Sequence, residues 1–158
     1  MLGRIVRSVD LERVLRCAPL ARTLHFALHH MRARPTPPAR PAAKRDPADL
    51  STGEAPLVDL PVDDSCGTAS PQVISRWLGL VIPKRHARRS VTRSLLKRQI
   101  RAAAARGEAE LAQGLWVVRL RAPFDPRAFP SAASAALAAA ARAELAQLFD
   151  QARAASLP

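Results

Sequence analysis

The sequence predicts an α+β fold: a mixed, mainly antiparallel sheet of about four strands with helices packed against it. Three observations carry this. Two apolar runs, Trp77–Ile82 and Leu115–Arg121, read as strands, the second with Trp116, Val118 and Leu120 on one face. Between them a helical stretch runs from about Ala87 to Arg106, closed by Gly107 at the left-handed position that follows a helix. The apolar content is mostly Leu, Val, Ile and Ala, with two Trp, four Phe and no Tyr, so the core is aliphatic. A length of 158 residues suits one domain over 1–158 with chain left over for a segment outside the core.

At the start, Ser8 is placed to cap a short helix on which Leu11, Val14, Leu15 and Ala18 recur at helical spacing. Pro19 limits it. The run from Thr23 to Met31 alternates as a strand, with Leu24, Phe26, Leu28 and His30 on one face and His25, Ala27 and His29 on the other. His25 and His29 invite a metal reading. Four strand positions span roughly 13 Å, too far for one ion, and no carboxylate or thiol lies near them in sequence.

The stretch 34–75 changes character, with eight of the fourteen prolines, six of the thirteen acidic residues and few apolar ones. Such composition buries too little surface to offset chain entropy, so it is expected to be a disordered insertion in a β-hairpin. Its closure is inexpensive, since each doubling of loop length adds only about 0.6 kcal/mol. After the basic helix, Glu108–Gln113 makes a connector with room for one helical turn, and Pro123–Pro126 makes a turn. An Ala-rich helix from about Ser131 to Ala154 closes the chain, with Leu137, Leu145, Leu148 and Phe149 as its packing stripe.

The net charge of +12 calls for an anionic partner, and its densest part is Arg76–Arg106, with ten Lys or Arg and no acid. On a helical wheel with Arg93 at zero, Lys97, Arg101 and Arg98 fall at about 40°, 80° and 140°. Ser90 and Ser94 share that arc, while Leu95, Leu96, Ile100 and Ala103 lie opposite. Crowded like charges without acidic partners do not serve local stability. They fit a polyanion better than a plain solvated face.

Gly79-Leu80-Val81-Ile82-Pro83-Lys84-Arg85, then Arg88-Arg89, then Arg93-Ser94-Leu95-Leu96-Lys97-Arg98-Gln99-Ile100-Arg101, resembles the protein subunit of bacterial ribonuclease P. That family has a strand ending in a basic pair and a helix patterned Arg-Asn-x-x-Lys-Arg-x-x-Arg, with matching spacing. The family's Asn is Ser94 here, which has a shorter reach and lacks the paired amide groups. The resemblance implies a fold like domain 2 of ribosomal protein S5, with a left-handed crossover where strand–helix–strand units are normally right-handed. It also implies a subunit of an endoribonuclease, in which a catalytic RNA removes the 5′ leader of precursor tRNA with Mg²⁺. The protein would bind that RNA and the leader and hold no cofactor alone.

By that resemblance, the RNA-binding residues are Lys84, Arg85, Arg88, Arg89, Arg93, Ser94, Lys97, Arg98 and Arg101, with Phe26 as a leader contact through base stacking. A plain core role for Phe26 stands beside that reading. So does a non-enzymatic RNA-binding or ribosome-associated role for the whole chain. No Gly-rich phosphate loop, carboxylate cluster or nucleophile–His arrangement can be read from the spacing, so no catalytic residue is expected in the protein. No apolar run approaches the roughly 18 residues of a membrane span, and the first residues lack the apolar centre of a secretory signal. Cys17 and Cys66 read as ordinary thiols in a reducing cytoplasm.

Overall fold

In a computed structural model, the described residues are 1–37 and 75–156. They form β1 (Leu2–Arg4), α1 (Ser8–Leu15), β2 (Ala21–Arg22), β3 (Phe26–Met31), β4 (Arg76–Val81), α2 (Ser90–Arg106), β5 (Gly114–Leu120) and α3 (Ala135–Ser156). A 3₁₀ turn at Glu108–Glu110 supplies the expected turn after α2. The α+β class holds. The sheet has five strands in the order β1-β4-β5-β3-β2, because the two- and three-residue edge strands add to those visible in sequence.

The sheet is mixed in equal measure rather than mainly antiparallel. β1 with β4 and β4 with β5 are parallel, while β5 with β3 and β3 with β2 are antiparallel. β3 and β4 are also not a hairpin pair, since β5 lies between them. The predicted insertion at 34–75 lies outside the described residues except for Arg34–Pro37 and Ser75, as does Cys66. Cys17 is a free thiol.

Strand alternation divides the core into two. Phe26, Leu28, Leu78, Trp116, Val118 and Leu120 face α2 and α3, where they meet Leu96, Ile100, Leu145, Leu148 and Phe149. Leu115 and Val117 face the other way, towards Val14, Leu11 and Leu15 of α1. Helices thus cover both sheet faces, one longer pair and one short one. Glycine at 79 lets the α1 side pack closely: a Cβ there would overlap Leu11 Cδ2, which would have to move, and come within 3.2 Å of Ile5 Cδ1 and Val117 Cγ2.

Helix termini depart from expectation in two places. Ser8 is the first residue of α1 instead of its cap; the cap position falls to Arg7, which makes no side-chain capping bond. Gly107 does end α2, but with φ −97° and so outside the left-handed region. What glycine provides there is space, because a Cβ would lie 3.1 Å from Arg153 Nη2 of α3.

Candidate nucleic-acid interface

α2 is two-sided, as its sequence predicts. Leu95, Leu96, Gln99, Ile100, Ala103 and Ala104 are buried, and Ser94, Lys97, Arg98 and Arg101 are exposed. Arg89 gives no side-chain cap and the first turn has no acid, so nothing offsets the positive end of the helix dipole. Among the described residues, the side chains of Lys84, Arg88, Lys97, Arg98 and Arg101 have no hydrogen-bond or ion-pair partner. Cations left in this state are available to an outside anion.

The remaining predicted residues shape the approach to α2. After β4 the chain turns at Pro83, whose carbonyl accepts from the amides of His86 (3.0 Å) and Ala87 (3.2 Å). Arg93 reaches back, its Nη1 donating to the carbonyls of Ala87 (3.0 Å) and Arg88 (2.7 Å). Arg85 Nε donates to His86 Nε2 at 3.1 Å, and Arg89 Nη1 to the Pro130 carbonyl at 3.4 Å. Burial, then the neighbouring charges of Arg85 and Arg119, hold His86 below the usual histidine value. Arg93, Arg85 and Arg89 are therefore partly committed within the protein, and Arg93 fixes the loop that carries Arg88 and Arg89.

Lys97 and Arg101 overhang a groove of about 390 Å³ between α2 and β1, and Arg4 lies on its other wall. The sequence gives no sign of Arg4. A three-residue strand has too few positions for alternation to show.

Phe26 does not support the role given to it. Its ring is 0% exposed, in the core under α3, and meets Phe124 edge-on at 5.9 Å. No face is open to a base, so the plain core reading of Phe26 prevails. The strand also starts at Phe26, not Thr23: Leu24 is 75% exposed and His25 leaves the alternation. The His25 ring stacks on Phe124 at 4.0 Å, and its Nδ1 lies 2.7 Å from Glu144 Oε2 on α3. His25 and His29 thus lie on different sides of the sheet, which removes the shared face that raised the metal question.

The sheet face beside α1 carries a polar row of its own. Strand register aligns Arg22, Ala27, Arg119 and Val81 across four strands. His29, also on this face, has Nδ1 3.0 Å from the Cys17 carbonyl, which can only accept, so the imidazole donates. Burial lowers the His29 pKa, opposed by that hydrogen bond and reinforced by Arg119 and Arg22. Alternation alone sets Ala27 and His29 on this face, and it is the strand pairing that brings Arg22 and Arg119 beside them.

Comparison with known proteins agrees with the motif. The family model described as Ribonuclease P matches residues 63–151, which contain β4, α2, β5 and most of α3. Over 75 residues, or 48% of the chain, it is 51% identical to the ribonuclease P protein component of Burkholderia pseudomallei strain 1106a, covering 55% of that protein. Over the same share of the chain it is 49% identical to the component from Burkholderia mallei strain SAVP1, again covering 55%. For Paraburkholderia xenovorans strain LB400 the identity is 43%, with 54% of the protein covered. The matched stretch spans about half the length of these relatives. With more than half of its residues inside the family model and the basic pair and helix at the family's spacing, the chain belongs to the ribonuclease P protein family.

Proposed function

We propose that the chain is the protein component of ribonuclease P, binding the catalytic RNA through α2 and supporting removal of the 5′ leader from precursor tRNA. One observation carries this beyond family membership: the exposed face of α2 presents Lys97, Arg98 and Arg101 with no partner among the described residues. A phosphate backbone would supply the missing anions, and counterion release would drive the association. Ser94 stands among them where the family has Asn, so any contact it makes is shorter in reach.

For the leader, the row Arg22, Ala27 and Arg119 beside α1 replaces Phe26 in this reading. It flanks the buried Ala27 with the exposed Arg22 and the half-buried Arg119, two cations whose phosphate contacts would suit a leader of variable sequence. Mg²⁺ chemistry is assigned to the RNA. Among the described residues no group of three or more His, Cys, Asp or Glu side chains comes together. The carboxylates of Asp10, Glu110 and Glu144 are taken up by Thr36 and Arg13, by Arg153 and by His25. The protein's part would be screening and positioning, in the cytoplasm where precursor tRNA is found. No helix among the described residues is long and apolar enough to cross a membrane.

Reconstitution tests the proposal. The chain is combined with the cognate ribonuclease P RNA and cleavage of precursor tRNA is followed at low Mg²⁺. Cleavage should accelerate when the protein is added. An RNA whose rate and substrate affinity are indifferent to the protein would sink the reading.

A further inference from the structure

The segment between β5 and α3 folds over the start of α2 and is fastened there. Thr92 Oγ1 donates to the Ala132 carbonyl at 2.7 Å and Arg89 reaches the Pro130 carbonyl, while within the segment the Phe129 amide donates to the Asp125 carbonyl at 2.9 Å. Between segment and helix is a groove of about 470 Å³, a size typical of small-ligand sites. Phe124 and Phe129 line it with ring centroids 5.9 Å apart and planes at 82°. Phe124 is held from behind by the stacked ring of His25 and the edge contact with Phe26. Arg85, His86, Arg88 and Arg89 complete the rim, and no Asp or Glu lines it.

We propose that this groove holds one unpaired nucleotide of the RNA strand that runs along α2, with its base against Phe129 and Phe124 and its phosphate against Arg88. The assignment rests on the reading of α2 as an RNA-binding helix and adds a base-contacting site to it. Two arguments favour a nucleotide over a purely anionic ligand. The lining couples aromatic faces to cations, which is how single strands are held without sequence preference. The rim is also continuous with the basic face, because Arg93 of α2 grips the carbonyls of Ala87 and Arg88. Arg93 is a positioning residue here, and Arg88, with no partner among the described residues, is the cation left for the phosphate.

The test uses the full chain and a single-stranded RNA of about five nucleotides with 2-aminopurine at its centre, at low salt. Binding should quench the fluorescence. Phe129→Leu keeps the apolar bulk but removes the ring, so it should weaken binding by about tenfold and remove most of the quenching. Phe129→Tyr should restore both. An oligomer of equal charge with an abasic centre should bind the unaltered chain about as weakly as the parent oligomer binds Phe129→Leu. Arg88→Ala, at an exposed position, should leave folding intact and flatten the log–log salt dependence by about 0.7. Equal affinity for the abasic and base-containing oligomers, or quenching untouched by Phe129→Leu, overturns the groove. If the chain still binds ribonuclease P RNA through α2 in that case, the functional reading stands without it. A chain with no affinity for that RNA loses both.

Discussion

α2 and α3 lie side by side on the same sheet face, yet they manage charge in opposite ways. α2 carries five cations and no acid over 17 residues, four of them with spacing that makes them repel. α3 carries Arg142 and Arg153 against Glu144 and Asp150, for no net charge over 22 residues. Arg153 pairs with Glu110 at 2.6 Å and Asp150 at 3.4 Å, and Glu144 is drawn to His25. Of these four only Arg142 is left open among the described residues, and a helix so largely satisfied within the protein contributes to the fold. One whose charges are left open contributes little to stability and directs its surface outward. The same apolar seat serves both, so composition of the outer face is what separates structure from binding.

The largest effect that tests this contrast is the loss of three α2 cations together. A hydrogen bond to a charged group is worth about 1.5–3 kcal/mol. Lys97→Ala/Arg98→Ala/Arg101→Ala should therefore weaken binding to the cognate RNA by at least about a thousandfold. The salt slope should fall by about 0.7–0.9 for each phosphate contact removed. Arg142→Ala/Arg153→Ala removes two charges but should leave the slope nearly unchanged and cost only about 0.2–1 kcal/mol in stability, because the partners of Arg153 are largely exposed. Titrations over a salt series decide between them. Similar losses per charge from both helices would erase the distinction.

Next in size is Leu145→Ala on α3, at a side chain with 0% exposure in the main core. Denaturant unfolding should show a loss of about 2–5 kcal/mol. RNA affinity, corrected for the folded fraction, should not move. An affinity loss beyond that correction would make α3 part of the interface.

A smaller effect concerns Glu144. Burial would raise its pKa, but the His25 amide, the Thr23 hydroxyl and the His25 ring outweigh burial and hold it below the ordinary carboxylate value of 4.5. A lowered folded value means that the ionised form stabilises the fold. That contribution is complete above the ordinary value and disappears as pH falls through the lowered one. Glu144→Gln should cost about 1–2 kcal/mol near neutral pH, since its amide leaves one of these donors unmatched. The gap from the unaltered protein should close in that acid window. A gap that persists at the lowest pH would show that packing, not charge, joins α3 to β3. Smallest is Ser94→Asn, which should preserve RNA affinity or tighten it by less than about tenfold, as one added hydrogen bond allows. A clear weakening would mean that α2 docks in a different register.

What was legible in the sequence follows from the range of each interaction. α2 announced itself because its pattern is local: Leu96, Ile100 and Ala103 alternate with Lys97, Arg98 and Arg101 at helical period, and burial follows that division. β4 and β5 were visible as apolar runs, since each is covered on both faces. Partner choice was not. Nothing in Phe26–Met31 or Arg76–Val81 records that both pair with Gly114–Leu120 instead of with each other. Asp10 shows the same limit. In sequence it is an ordinary polar helix residue, but it is 1% exposed, and its carboxylate accepts from the Thr36 amide at 3.0 Å and hydroxyl at 2.7 Å. Burial pushes its pKa up, while Thr36 and Arg13 more than offset this and keep it low. The Phe26 assignment failed for a related reason, because alternation tells which residues share a face without telling which face is covered.

The central place of β5 also governs how the chain comes together during synthesis. Before residues 114–120 leave the ribosome, β2 has only β3 and β1 has only β4, and neither pair can join the other. α2 is made earlier and must wait, since Trp116 and Val118 of its apolar seat arrive with β5. Contacts so distant in the chain form late and together, so the described fold should close in one cooperative step only after β5 has emerged. Until that step the cations of α2 belong to an unanchored segment. The proposed RNA-binding surface takes on a defined geometry only once β5 has slotted into the middle of the sheet.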